Sequence, residues 1–107
     1  MNDNPSSLEE LAYEFQGGSP LGTFDAVLVG IVGSGNLEVL LEPEAGSGCR
    51  LLVTTSARGF GAIWEAVARD FHRRHALAGV RISVNDMGAT PAVVSLRLEQ
   101  AVSELES

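Results

Sequence analysis

Three stretches of the chain alternate apolar and polar residues, and two others repeat apolar residues at helical spacing. Leu37, Val39 and Leu41 alternate with Glu38 and Glu42, Leu40 interrupts the acidic face, and Pro43, which has no amide donor, ends the pairing. Residues 50–55 predict another strand, with Leu51 and Val53 inward and Thr54 and Thr55 adding β-branched stiffness. Val80, Ile82 and Val84 alternate with Arg81, Ser83 and Asn85. Residues 24–32 are apolar on both faces, which predicts a strand inside the sheet. From Gly59 the period changes: Phe60, Ile63, Trp64, Val67 and Phe71 form one stripe of a helix that is expected to end near Ala78, with Gly79 as its left-handed terminus and Arg73 and Arg74 near its negative end. Thr90-Pro91 is a helix start, with Thr as the cap, and Val94, Leu98, Ala101, Val102 and Leu105 make the inward stripe. Residues 93–98 also alternate, but the Thr-Pro start and the Glu-Gln-Ala-Val tail decide for helix. Residues 8–16 read two ways: Leu8, Leu11, Ala12 and Phe15 sit at helical spacing, while Leu11, Tyr13 and Phe15 alternate as in a strand. Gly17-Gly18-Ser19-Pro20 breaks either one.

The predicted class is α+β, in the order βββαβα: a mainly antiparallel four-stranded sheet, with room for a fifth short N-terminal strand, and two helices on one face. Two reversals join the first three strands. The first holds Gly33-Ser34-Gly35-Asn36 and fits either a type II′ turn on Gly33-Ser34 or a type I′ turn on Ser34-Gly35; the second covers residues 45–48 and contains Gly46-Ser47-Gly48. With strands running up, down and up and a helix descending, the strand from Val80 runs parallel to the third in a right-handed crossover. Its end, residues 85–90, therefore reaches the sheet edge that carries Ser34, and Ser47 lies at the other edge.

Length and composition narrow the function. At 107 residues, 45% of them apolar, the chain is one small globular domain; residues 1–10 are expected to be a flexible N-terminus and residues 11–107 the domain. Fourteen acidic residues against seven arginines give a net charge of −7, which argues against nucleic acid or an anionic membrane as partner and suits basic protein surfaces. No apolar run approaches the roughly eighteen residues of a membrane span. A single cysteine, Cys49, excludes an internal disulfide; with no export leader in view, the expected location is cytoplasmic and the expected role of Cys49 is that of a half-buried structural thiol.

No catalytic residues and no metal site are expected. His72 and His75, three apart on a helix, have two arginines between them and no evident carboxylate to complete a site, so solvated helix surface is the better reading. Ser34 as a hydrolytic nucleophile lacks a positioned base and a Gly-x-Ser-x-Gly elbow. Gly33 and Gly35 open a strand rather than a helix, the wrong context for a phosphate-cradling loop. What remains is a small-flanked serine at a turn tip, which is either plain turn chemistry or a site that a modifying enzyme can reach.

Residues 32–43, Val-Gly-Ser-Gly-Asn-Leu-Glu-Val-Leu-Leu-Glu-Pro, and 85–99, Asn-Asp-Met-Gly-Ala-Thr-Pro-Ala-Val-Val-Ser-Leu-Arg-Leu-Glu, resemble the acyl carrier (delta) subunits of malonate decarboxylase. A more distant likeness is to the citrate lyase acyl carriers. The similarity runs from about Leu11 to about Leu105 and favours a short strand for residues 8–16. It implies a covalent phosphoribosyl-dephospho-coenzyme A group, joined by a phosphodiester to Ser34, with Gly33, Gly35 and Asn36 forming the recognised turn. Asn36 departs from the aspartate expected there. The helix start at Asp86, Gly88 and Thr90 would face the phosphates of the group. Implied partners are the acyltransferase and decarboxylase subunits, a prosthetic-group transferase and a malonyltransferase. The resemblance implies acetyl and malonyl thioesters as the cargo. A citrate lyase carrier, or an unmodified β/α interaction module of a larger assembly, are the alternatives. The Asp-Ser-Leu helix-start motif of the ordinary helical acyl carriers is absent.

Overall fold

A computed structural model describes residues 8–30 and 37–106. The expected N-terminal mobility of residues 1–7 and the turn at Gly33, Ser34, Gly35 and Asn36 lie outside the described residues. Among those described, the strands are β1 (Glu9–Phe15), β2 (Ser19–Pro20), β3 (Val27–Val29), β4 (Leu37–Pro43), β5 (Cys49–Thr55), β6 (Leu77–Ala78) and β7 (Val80–Asp86), and the helices are α1 (Gly61–His75) and α2 (Pro91–Glu106).

One five-stranded sheet in the order β1-β5-β7-β4-β3 carries the fold, and β2 and β6 form a separate parallel pair. Neighbours in the main sheet are antiparallel except β5 and β7, which are parallel and joined through α1. Alternation does what it predicts in β4, β5 and β7: Leu37, Val39, Leu41, Leu51, Val53, Val80, Ile82 and Val84 are buried on one face beneath α1 and α2, and their neighbours are half-exposed on the other. The α+β class with two helices on one face is the observed architecture, and the fork at residues 8–16 resolves to an antiparallel edge strand. That strand includes Glu9 and Glu10, which the sequence assigned to the flexible N-terminus.

Three expectations are corrected. Over its described residues, 24–30, the apolar run is not an inner strand: β3 is a three-residue edge strand, with Leu28 58% exposed, and its apolar residues on the other face are served by contact with α2. The second reversal is no hairpin, because β7 lies between β4 and β5. Residues 44–48 instead cross the position of one strand, tied down by the Glu44 amide donating to the Gly79 carbonyl at 2.9 Å and the Gly79 amide to the Gly48 carbonyl at 2.8 Å. Finally, α1 stops at Ala76, itself left-handed at φ 47°, before Gly79 is reached, because residues 77–78 leave the helix to pair with β2.

The helical stripe also divides. Trp64, Ala68 and Phe71 are buried, whereas Phe60 and Ile63 are 47% and 45% exposed. The histidines do more than line a solvated surface: His72 stacks on Phe15 with ring centroids 4.9 Å apart, and His75 Nε2 lies 2.9 Å from Glu99, which also pairs with Arg74 and so clasps α1 to α2. Burial would push the Glu99 carboxyl up, but the hydrogen bonds and charges of His75 and Arg74 outweigh it and lower its pKa.

Cys49 is buried rather than half-buried, 2% exposed at the start of β5, and desolvation pushes its thiol up from 9.0 to about 11. Its folded pKa lies above its unfolded one, so its contribution to stability is complete below pH 9 and is lost as the pH rises towards 11. Urea unfolding across that window should show a fall in stability of up to about 1.4 kcal/mol per pH unit from this group. Cys49→Ala should remove that component, and an unchanged slope in the variant would refute the assignment.

Candidate functional site

The strands end along two opposite edges of the sheet, and the chain direction sorts the residues between them. At one edge, Leu37 at the start of β4 and Thr55 at the end of β5 both pair with Asp86 at the end of β7. Both helices begin here, α1 after β5 and α2 after β7. Gly30 follows β3 at the same edge, so both described ends of the segment that carries Ser34 are found there. Ser47 is at the opposite edge, where its hydroxyl lies 3.2 Å from Gln16 Oε1. The observed strand directions thus put Ser47 and the two described ends of the Ser34 segment at opposite edges, although the expected hairpin at residues 45–48 does not exist.

Asp86 organises this edge from inside. It is 1% exposed; its Oδ2 accepts from the Thr55 hydroxyl at 2.7 Å, and its Oδ1 accepts from the Gly88 and Ala89 amides at 3.2 and 2.7 Å. Thr55 in turn accepts from the Ala57 amide at 3.0 Å, and the Ser56 amide donates to the Asp86 carbonyl at 2.9 Å. One carboxylate thus holds the end of β5 and shapes the loop that launches α2. Thr90 caps that helix, its hydroxyl accepting from the Val93 amide at 3.3 Å.

The expected phosphate-facing trio is accordingly assembled at one edge, but its donors are in use. The amides of Gly88 and Ala89 are given to Asp86 and that of Val93 to Thr90, so what this helix start offers an anion is its positive dipole end rather than a row of open amides. Neither helix has an acidic residue in its first turn, and α1 begins at Phe60 without a side-chain cap.

Beside this edge lies an apolar cleft of about 330 Å³ lined by Phe60, Ile63, Trp64, Val67, Asp86 and Val94. The sequence reading missed it, because Phe60 and Ile63 counted as inward residues of α1. The signal was there: two large apolar side chains in the first turn of a helix, opposite the loop of a neighbouring one. Thr55 was missed as well, since its β-branching gave it a sufficient strand role.

The family model for the malonate decarboxylase delta subunit matches residues 25–105, which include both sequence blocks singled out above. A malonate decarboxylase acyl carrier protein of Burkholderia cepacia is 66% identical over 104 residues, covering 97% of this chain and 96% of that protein. One from Stenotrophomonas maltophilia strain K279a is 55% identical over 103 residues, covering 92% and 94%. Among solved structures, a chain of a Pseudomonas malonate decarboxylase hetero-tetramer in complex with malonate superposes with a TM-score of 0.80 at 40% identity, covering 91% of this chain and 98% of that one. These likenesses favour the malonate decarboxylase over the citrate lyase carriers. The chain belongs to the malonate decarboxylase delta subunit family, the acyl carrier subunits of that enzyme, and is a carrier rather than a catalytic subunit.

Proposed function

We propose that this chain carries acetyl and malonyl groups as thioesters on a phosphoribosyl-dephospho-coenzyme A group joined by a phosphodiester to Ser34. The observation that carries the choice of serine is the pairing of Leu37 with Asp86, which brings one end of the Ser34 segment to the sheet edge where α2 begins, while Ser47 sits at the far edge beside Gln16. When bound, the group supplies a thioester whose carbonyl accepts the carbanion charge left as malonyl loses carbon dioxide. The chain itself supplies tethering: it offers a short, small-flanked segment, Gly33 to Asn36, to a prosthetic-group transferase, and it holds the arm where partner active sites meet it at high local concentration. The positive end of α2, behind Asp86, Gly88 and Thr90, favours phosphate nearby.

On this reading an acyltransferase subunit exchanges acetyl for malonyl and decarboxylase subunits return malonyl to acetyl, with a malonyltransferase priming the carrier. The setting is the cytoplasm, and the net charge of −7 suits docking on basic surfaces of those partners. Protein produced beside its own prosthetic-group enzymes should be heavier by one such group. Ser34→Ala should lose both the increment and carrier activity, and Ser47→Ala should keep both. Full activity in Ser34→Ala would sink the proposal.

A further inference from the structure

We propose that the open face of the sheet is a docking surface for another subunit of the decarboxylase, one whose own surface offers an apolar ridge with arginine or lysine along one side. This rests on the carrier reading above and assigns a surface to it. Both helices and the buried core lie on the other face. On the open one, the strand register lines up three rows of side chains. The middle row runs Leu28, Leu40, Ser83, Leu52 and Ala12 across all five strands, where the water-facing side of an alternating sheet is expected to be polar. Leu28 and Ala12 are exposed at its ends, with Leu40, Ser83 and Leu52 half-buried between them. At about 4.8 Å per strand the lane is roughly 19 Å long. A contiguous apolar strip with polar rims marks a contact surface, which leucines scattered singly would not.

The two rims differ. Glu42, Arg81, Arg50 and Glu14 form one, and its cations are met within the chain: Arg81 pairs with Glu42 at 2.8 Å and Arg50 with Glu44 at 2.6 Å. The other, next to the edge where both helices begin, is Glu38, Asn85, Thr54 and Glu10, with no cation in it. Neither of its glutamates is in an ion pair among the described residues; Glu38 accepts from the Asn85 side-chain amide at 3.2 Å. This asymmetry selects the occupant. Stacked face to face about a two-fold axis centred on β4, β7, β5 and β1, a second copy would set Glu38 against Glu42 and Glu10 against Glu14, or Glu38 against Glu10 and Arg81 against Arg50, so like charges meet in either orientation. A different protein with cations along one side of an apolar ridge matches both the lane and the unpaired rim. Rows on one face lie about 7 Å apart, so lane and rims cover on the order of 300 Å², well below the roughly 800 Å² per partner of a stable interface. A contact of that size suits a carrier that has to leave one active site for the next.

The test measures binding of this chain to the remaining subunits of its own decarboxylase, purified without it, with melting temperatures to verify that each variant is folded. Leu28→Glu, at a position 58% exposed, should weaken binding about tenfold, and Leu40→Gln should weaken it as well. Glu38→Lys and Glu10→Lys should each weaken it several-fold at low salt, and the deficit should fade towards about 1 M salt, where screening acts within about 3 Å. Leu96→Glu, at a position 64% exposed on α2, should bind like wild type. Wild-type affinity in folded Leu28→Glu and Leu40→Gln, or an equal loss in Leu96→Glu, overturns the docking surface and leaves the carrier reading standing. So does wild-type self-association in sedimentation that Leu28→Glu abolishes, which would assign the face to a second copy. Absence of any binding by wild type overturns both.

Discussion

Asp86→Ala should destabilise the protein by about 3 kcal/mol, because it leaves the Thr55 hydroxyl and the Gly88 and Ala89 amides without their acceptor in a site that is 1% exposed. Asp86→Asn retains one amide-accepting oxygen and should cost only about 1 kcal/mol. Thr55→Val should fall near Asn, since it removes one donor to Asp86 and the acceptor of the Ala57 amide. Urea unfolding measures all three. The functional consequence is local: with the loop unpinned, the start of α2 moves relative to Leu37, and prosthetic-group transfer should slow in Asp86→Ala even at temperatures where it is folded. A loss of less than about 0.5 kcal/mol, the range of ordinary surface changes, would show that Asp86 does not organise this edge.

Ile82→Ala should be more damaging, about 4 kcal/mol, a large share of the roughly 5–15 kcal/mol that holds a domain of this size. Ile82 is in the central strand, opposite Leu41 on β4 and Leu51 on β5, and all three are buried under the helices. Truncation there removes the methyl groups that join both halves of the sheet, and hydrogen-bonded strands on either side prevent collapse into the space. The melting temperature should drop by about 20 °C. Ser83→Ala, one residue on and on the open face, should change stability by no more than about 0.5 kcal/mol. Near-equal losses for the two would mean that β7 is not the central strand.

The local rules of the chain were readable, and so was the parallel run of β5 and β7 through α1, but the strand order was not. Alternation in β4, β5 and β7 identifies the buried face residue by residue, and Thr90-Pro91 marks the start of α2 through a cap that the structure contains. The strand order is a different kind of information. Residues 45–48 read as a turn, yet the five residues 44–48 suffice to step across the roughly 10 Å occupied by an intervening strand, and only the partners of Val80 to Asp86 decide that β7 fills it. The run at 24–32 misled for a related reason: apolar residues on both faces mean a central strand only if both faces are covered, and Leu28 is exposed on an edge.

Site residues divide along the same line. Asp86 and Thr90 stood out because turn and cap chemistry is local. Phe60 and Ile63 fit an apolar stripe whose width sequence periodicity does not set.

Locating the adduct on the natural, loaded protein tests the assignment of Ser34 most directly. Trypsin does not suffice, because the first arginine is Arg50 and one fragment contains both Ser34 and Ser47. Cleavage after glutamate separates them at Glu38 and Glu44, and fragment mass spectrometry then reads each serine independently. The expected result is one phosphoribosyl-dephospho-coenzyme A on the fragment ending at Glu38, with the fragment containing Ser47 unmodified; the group on Ser47, with the Ser34 fragment at its unmodified mass, would contradict it.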